Sequence, residues 1–338
     1  MRRSQILTLA GLGTLAGGIA AAVAVLLPWL PSPASREAGR IDFVFWFVTV
    51  ICIVIFAIVI AALLYSIVNF RAAPDDDSDG PPTHGHTGLE IWWTLIPTLL
   101  VTAIGVVSAI VLAKDDRVGK DYLHVNVTAQ QFAWSFTYPS GKNMTTGILR
   151  VPVDKSLLLT FTSKDVIHSF WVPQWGQKQD TVPGIHPTLH ITPDKVGRYP
   201  IICTELCGLG HATMRTWAIV MTQAAFDKWL KGQSAATSSS NAAVSGKAVF
   251  TNNGCGACHT LSAAGATAKV GPDLDKLPQW ATQAKQPLQQ FVQTSITDPN
   301  AYVQPGFPKN VMPMTFKSLP KDQLDALVQY LIQSSKKG

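Results

Sequence analysis

Three stretches of the chain contain no charged residue: those between Arg3 and Arg36, between Asp42 and Arg71, and between Glu90 and Lys114. Each exceeds the roughly 20 apolar residues needed to cross a bilayer as a helix. The first opens on Arg2 and Arg3 and closes on Pro28, Pro31 and Pro33. It ends in Ser32-Pro33-Ala34, a run of small residues suited to cleavage. Residues 1–34 are therefore expected to be a secretion signal, with a retained helix as the competing reading. The other two stretches predict a transmembrane hairpin over residues 41–113, turned by Arg71, Pro74 and Asp75–Asp77. Orientation rests on counting crossings: with the N-terminus inside, everything from residue 114 onward lies outside. The inner loop holds only Arg71, so the excess of inside positive charge adds little.

Beyond residue 114 the continuous apolar runs give way to alternation. The segments starting at Tyr122, Gln131, Ser156 and Arg215, with another near Tyr199–Ile202, are short, rich in β-branched and aromatic residues, and separated by Pro/Gly turns. Residues 114–230 are thus expected to form a β-sandwich or Greek-key barrel. Residues 231–245 are small and polar and predict a flexible linker. Past them the period becomes helical. Leu288, Phe291, Val292 and Ile296 share one face, and Leu324, Leu327, Val328, Leu331 and Ile332 make a second stripe. Residues 246–335 are expected to be a small all-α domain.

The composition agrees with a membrane-anchored chain: of 338 residues 47% are hydrophobic and only 14% charged. The net charge of +6 is dispersed, with no basic patch interleaved with aromatics, so a nucleic-acid partner is not expected. Of five cysteines, Cys52 sits among Ile and Val in mid-helix and reads as an inert buried thiol. The other four fall in two motifs.

The first motif is Cys203-Thr-Glu205-Leu-Cys207-Gly-Leu-Gly-His211-Ala-Thr-Met214, preceded at a distance by His168-Ser-Phe-Trp-Val-Pro. Thiolate, imidazole and thioether donors together select copper. Cys203 and Cys207, four apart on a loop, can both point inward and bridge two ions. His168 and His211 would then be terminal ligands, Met214 a weak thioether contact and Glu205 a backbone carbonyl donor. Three alternatives stay open: a Cys2His2 zinc site, a mononuclear copper site that leaves one thiol redundant, and a reducible disulfide. The second motif, Cys255-Gly-Ala-Cys258-His259, is the covalent attachment pattern for haem c. His259 supplies one iron ligand. Val311-Met312-Pro313-Met314 offers two thioethers for the other, of which Met312 is preferred because Met-Pro resembles the usual axial segment of class I cytochromes c.

On these residues the chain resembles subunit II of haem–copper cytochrome c oxidases over residues 41–230 and a class I cytochrome c over 244–335. The pairing is similar to the bacterial caa-type oxidases. The resemblance implies a two-helix hairpin, a cupredoxin-like Greek-key β-barrel and an all-α cytochrome c domain. It implies a mixed-valence copper pair held by His168, Cys203, Glu205, Cys207, His211 and Met214. Haem c would be held by Cys255 and Cys258, with His259 and Met312 axial. It further implies a magnesium ion at the Glu205 carboxylate on the subunit I boundary, and a proton-pathway mouth at Glu90 in Glu90-Ile-Trp-Trp-Thr-Leu-Ile-Pro. Such a chain admits electrons to an oxygen-reducing, proton-pumping complex and is not itself catalytic towards oxygen. Its expected partners are subunit I, subunit III, the membrane, and an upstream quinol–cytochrome c reductase or small cytochrome as donor. Its expected place is the bacterial cell membrane, with the copper and haem domains outside. One departure stands out: where the family carries a Trp that accepts electrons from a docked cytochrome, this chain has Phe132, in Ala129-Gln-Gln-Phe-Ala-Trp134. Here the donor is tethered, and Trp134 is read as core. Competing classes are the copper-bearing small subunit of a nitric oxide reductase, a metallochaperone with an appended cytochrome, and a quinol oxidase subunit, which the two cysteines argue against.

Overall fold

The computed structural model describes residues 3–71, 80, 82, 84–141, 143–238, 245–312 and 314–335. It divides into two compact units. The expected turn residues Pro74 and Asp75–Asp77, and residues 239–244 of the expected linker, lie outside the described residues.

The first unit consists of three helices, each long and apolar enough to cross a membrane: α1 (Arg3–Leu26), α2 (Arg36–Asn69) and α3 (Thr87–Asp115). Their large side chains, such as Phe56, Ile58 and Trp92, are exposed, as lipid-facing residues must be. Gly13 and Gly17 of α1 lie against Ala57 and Ala61 of α2, so small residues set the approach of the two backbones. α2 starts earlier than residue 41 because Arg36, Glu37 and Arg40 end the hydrocarbon span without ending the helix. Arg40 pairs with Asp115 at the far end of α3.

The second unit contains the rest of the chain, together with residues 34–37. Ten strands build two five-stranded sheets. One sheet runs in the order β3 (Met144–Thr146), β2 (Ala133–Tyr138), β1 (Tyr122–Gln130), β5 (Ser156–Ser163), β8 (Thr188–Ile191). The other runs β4 (Leu149–Pro152), β10 (Arg215–Met221), β9 (Gly197–Cys203), β6 (His168–Trp171), β7 (Lys178–Thr181). The alternation of β1 places Leu123, Val125, Val127 and Ala129 inward, where they meet Phe136, Phe161 and Phe170 in one core. β1 and β5 pair in parallel, as do β4 and β10, so the sheets close by crossovers rather than simple hairpins. Residues 34–37 lie on this sandwich: the Ala34 N–H donates to the Gln174 carbonyl at 2.8 Å, and the Glu37 carboxylate accepts from the Thr192 N–H at 2.8 Å.

The sequence-based linker begins too early. Helix α4 (Gln223–Ser238) occupies its first half, because Ala, Ser and Gln support a helix once an aromatic end is anchored. Trp229 of α4 packs at 5.3 Å from the Tyr138 ring, under the Arg150 guanidinium. The final domain is helical: α5 (Gly246–Asn252), α6 (Leu277–Gln283), α7 (Leu288–Thr297) and α8 (Lys321–Ser335) enclose a separate core around Phe250, Phe291 and Leu327. α5 crosses α8 at Gly246, where a side-chain carbon would lie 2.1 Å from the Ala326 carbonyl oxygen. Only glycine permits that crossing. Gly246→Val is therefore expected to leave copper content near normal while most covalent haem is lost, as measured by haem staining and metal analysis of the purified complex; unchanged haem content would contradict the crossing.

Candidate copper centre and haem site

Three neighbouring strands of the second sheet end at one place. β6 begins with His168, β9 ends with Cys203, and residues 204–214 return the chain to β10. The register Phe170↔Cys203 sets the β6–β9 alignment, while the Cys203 N–H donates to the Met214 carbonyl at 3.2 Å and the Thr204 N–H to the Ser169 carbonyl at 3.0 Å. These bonds hold both ends of the loop. The thiols of Cys203 and Cys207 stand 3.9 Å apart, far beyond the ~2.05 Å of a disulfide. His168 Nδ1 lies 4.0 Å from Cys203 Sγ, and His211 Nδ1 lies 3.6 Å from Cys207 Sγ. Met214 Sδ is 3.8 Å from Cys207 Sγ, and the Glu205 carbonyl oxygen is 3.3 Å from Cys203 Sγ. One imidazole per thiol, with a carbonyl and a thioether on opposite sulfurs, fits two ions sharing two sulfurs. A single tetrahedral ion would leave the carbonyl and thioether unused. His168, Cys203, Cys207 and Met214 are buried.

The electrostatics of the thiol pair are compatible with bound cations. Contact with the Cys207 thiol holds the Cys203 pKa well below the usual thiol value. The resulting thiolate, with burial, drives the second thiol's pKa up, since two thiolates so close repel. Bound cations would release the second proton. The His168 ring is fixed from behind: Asp165 Oδ1 pairs with Nε2 at 2.8 Å, leaving Nδ1 towards the sulfurs. Burial lowers the imidazole pKa, but Asp165 and Cys203 outweigh it and the net shift is upward. Asp165 is itself held by the N–H groups of Gln131, at 2.7 Å, and Val166, at 2.8 Å. The Gln131 side-chain amide donates to the Cys207 carbonyl at 2.5 Å. Asp165 and Gln131 escaped the sequence reading, because an isolated carboxylate and amide carry no spacing signature. The only cue was the position of Asp165, three residues before His168.

In the helical domain a cavity is lined by Cys255, Cys258, His259 and Met312, with Trp280 and Phe291 among its apolar walls. His259 Nδ1 donates to the Pro272 carbonyl at 2.8 Å, which leaves Nε2 free. The loop presses flat on the ring, since a side-chain carbon at Gly271 would lie 2.5 Å from His259 Cε1. Burial lowers the His259 pKa and pushes the Cys255 thiol up to about 12, so these groups stay neutral. An apolar cavity lined by a thiol pair, a fixed imidazole and a thioether fits haem c. Met314 is 47% exposed and does not line the cavity. Pro313 lies outside the described residues.

Other sequence-derived candidates stand apart from these two sites. Glu90 is exposed near the start of α3, where its carboxylate accepts from the His86 N–H at 3.2 Å and so closes the helix end. The Glu205 side chain is exposed, while its carbonyl faces the thiols. Trp134 is buried edge-on against His168 and Phe170, with centroids at 6.2 and 5.6 Å. It is core that touches a ligand.

Three family descriptions match the chain: Cytochrome C oxidase subunit II, transmembrane domain, over residues 24–111; the periplasmic domain of the same subunit over 143–223; and Cytochrome c over 243–335. The cytochrome c oxidase subunit 2 of Alkalihalophilus pseudofirmus is 32% identical over 295 residues, spanning 84% of this chain and 84% of that protein. That of Synechocystis sp. is 32% identical over 260 residues, spanning 63% of this chain and 78% of that protein. Among solved structures, the periplasmic domain of subunit II of cytochrome oxidase from Bradyrhizobium japonicum is 29% identical. It covers 35% of this chain and 96% of that one, with a TM-score of 0.33.

Cys207→Ser is expected to abolish the near-infrared copper absorption and leave the haem spectrum intact; a retained copper band would contradict the ligand set. Met312→Leu should lower the haem potential or turn the iron high-spin, whereas Met314→Leu should do neither. Asp165→Asn should weaken copper binding ~10–100-fold by freeing the His168 ring, read from competition with a chelator.

Proposed function

Because the chain belongs to the cytochrome c oxidase subunit II family, we propose that it is the electron-entry subunit of a haem–copper terminal oxidase: electrons arrive at the haem site, cross to the copper site and leave for subunit I. The chain is part of an oxidoreductase complex, with copper- and haem-binding domains on the outer face of the membrane. Copper supplies one-electron chemistry delocalised over two thiolates, and haem c supplies a one-electron carrier at high potential.

The observation that carries this reading is the convergence of four further donors on two sulfurs 3.9 Å apart, in a chain that also has an apolar cavity lined by Cys255, Cys258, His259 and Met312. The protein's part is to hold, orient and keep dry. Cys203, Cys207, His168 and His211 would hold the copper as its strong donors. Met214 and the Glu205 carbonyl complete the set as weak donors. The backbone bonds at both ends of the loop, with Asp165 behind His168, limit rearrangement as the charge changes by one. Cys255 and Cys258 fasten the haem edge. His259, fixed by Pro272, and Met312 both line the cavity and would be the haem's iron donors, a pairing that favours a high potential. We assign the exposed Glu205 carboxylate to a magnesium ion at the subunit I boundary and Glu90 to the mouth of a proton pathway in subunit I. Subunit III and an upstream quinol–cytochrome c reductase, or a small cytochrome, complete the proposed assembly. The relatives are oxidase subunits, which does not favour the nitric oxide reductase alternative.

In the complete oxidase, a pulse of reductant is expected to reduce haem c first and the copper pair next, followed by stopped-flow absorption. With Cys207→Ser, haem c should still be reduced while oxygen consumption falls to background. Copper reduced ahead of the haem, or full oxygen consumption in the variant, would contradict the proposed order.

A further inference from the structure

The haem domain does not merely hang from the barrel on its connecting segment; it is seated on it. Asn252, the last residue of α5, meets the edge of the first sheet. Its side-chain oxygen accepts from the Gly147 N–H at 2.9 Å, its amide donates to the Thr145 carbonyl at 3.3 Å, and its own carbonyl accepts from the Ser135 hydroxyl at 3.2 Å. β3 is the outer strand there, with open backbone groups on its free side. The Asn252 amide satisfies one donor and one acceptor of that edge as a neighbouring strand would. Fit is close: a side-chain carbon at Gly147 would lie 2.8 Å from the Thr251 carbonyl oxygen.

The seating places the haem attachment segment against the copper loop. Gly254 abuts the barrel so tightly that a side-chain carbon there would lie 2.4 Å from Ala133 Cβ. Cys258 packs on the barrel core, with its sulfur within hydrogen-bond reach of the Thr213 hydroxyl. Thr213 immediately precedes Met214 and stands two residues after His211. The Phe132 ring touches both sides. It lines the haem cavity and fills the space over the copper loop, where a side-chain carbon at Gly210 would lie 2.4 Å from ring Cδ2. The sulfur that would fasten haem thus abuts a residue bonded directly to a copper-ligating methionine.

We infer that Asn252 is a docking latch that holds Cys258 against Thr213 and Phe132, making this contact the internal route from haem to copper. This rests on the direction of electron flow proposed above. The connecting segment keeps the domain near, and the latch sets which face it presents. Phe132 serves as an apolar seal excluding water at the seam.

The test uses the complete oxidase, with Asn252→Ala and, should that variant mature poorly, Ser135→Ala. Photochemical reduction of haem c times the internal step to copper. Hydrogen exchange of residues 143–148 reports seating without reference to electron transfer. Removing the Asn252 amide is expected to slow the internal step about tenfold, to accelerate exchange at Gly147, and to leave both chromophore spectra unchanged. Fast transfer in the native oxidase combined with unchanged rate and exchange in the variants would overturn the latch. Fast exchange with an unchanged rate would overturn the route. Absence of haem-to-copper transfer in the native oxidase would instead overturn the proposed direction of flow.

Discussion

Two buried sulfur atoms on one loop are held 3.9 Å apart, close enough for both to reach the same cation. As two thiolates they would repel. The fold tolerates this because the loop is fixed at both ends by strands of a closed sandwich. His168 and Cys203 come from adjacent strands, and β10 returns at Met214. Positive charge shared by both sulfurs would offset that repulsion. Electron transfer follows from that, since a centre whose donors are fixed before the charge changes has little to rearrange.

The second domain extends the same logic. Its haem site is assembled by close backbone approach, with α5 crossing α8 at Gly246 and the Gly271 loop lying flat on His259. Its position on the barrel is set by the side chain of Asn252, which pairs with an open strand edge. On the proposed electron path, the donor is carried and aimed by the same polypeptide. In that setting an aromatic that must recruit a passing cytochrome has no task. Phe132 fits the change, being buried at the seam rather than displayed to solvent.

Much of this was legible in the sequence, for physical reasons that differ by region. Charge-free runs longer than a bilayer can only be spans or cores. Cys203, Cys207, His211 and Met214 are local enough for spacing alone to show their chemistry, as are Cys255, Cys258 and His259. The copper-site positions of His168, 35 residues from Cys203, and of Met312 in the haem cavity needed the resemblance or the fold to place them. Asp165, Gln131, Thr213 and Asn252 were invisible. Their hydrogen bonds and contacts go to backbone groups or to residues with which no spacing pattern links them. α4 was missed because its anchoring aromatics precede a small-residue stretch that alone reads as coil.

Everything turns on whether the paired thiols hold two coppers as one electronic unit. Electron paramagnetic resonance of the oxidised, copper-loaded chain decides it. Hyperfine structure from one unpaired electron spread equally over two copper nuclei is the expected result. A spectrum of a single cupric ion, or of two independent ones, would contradict the account.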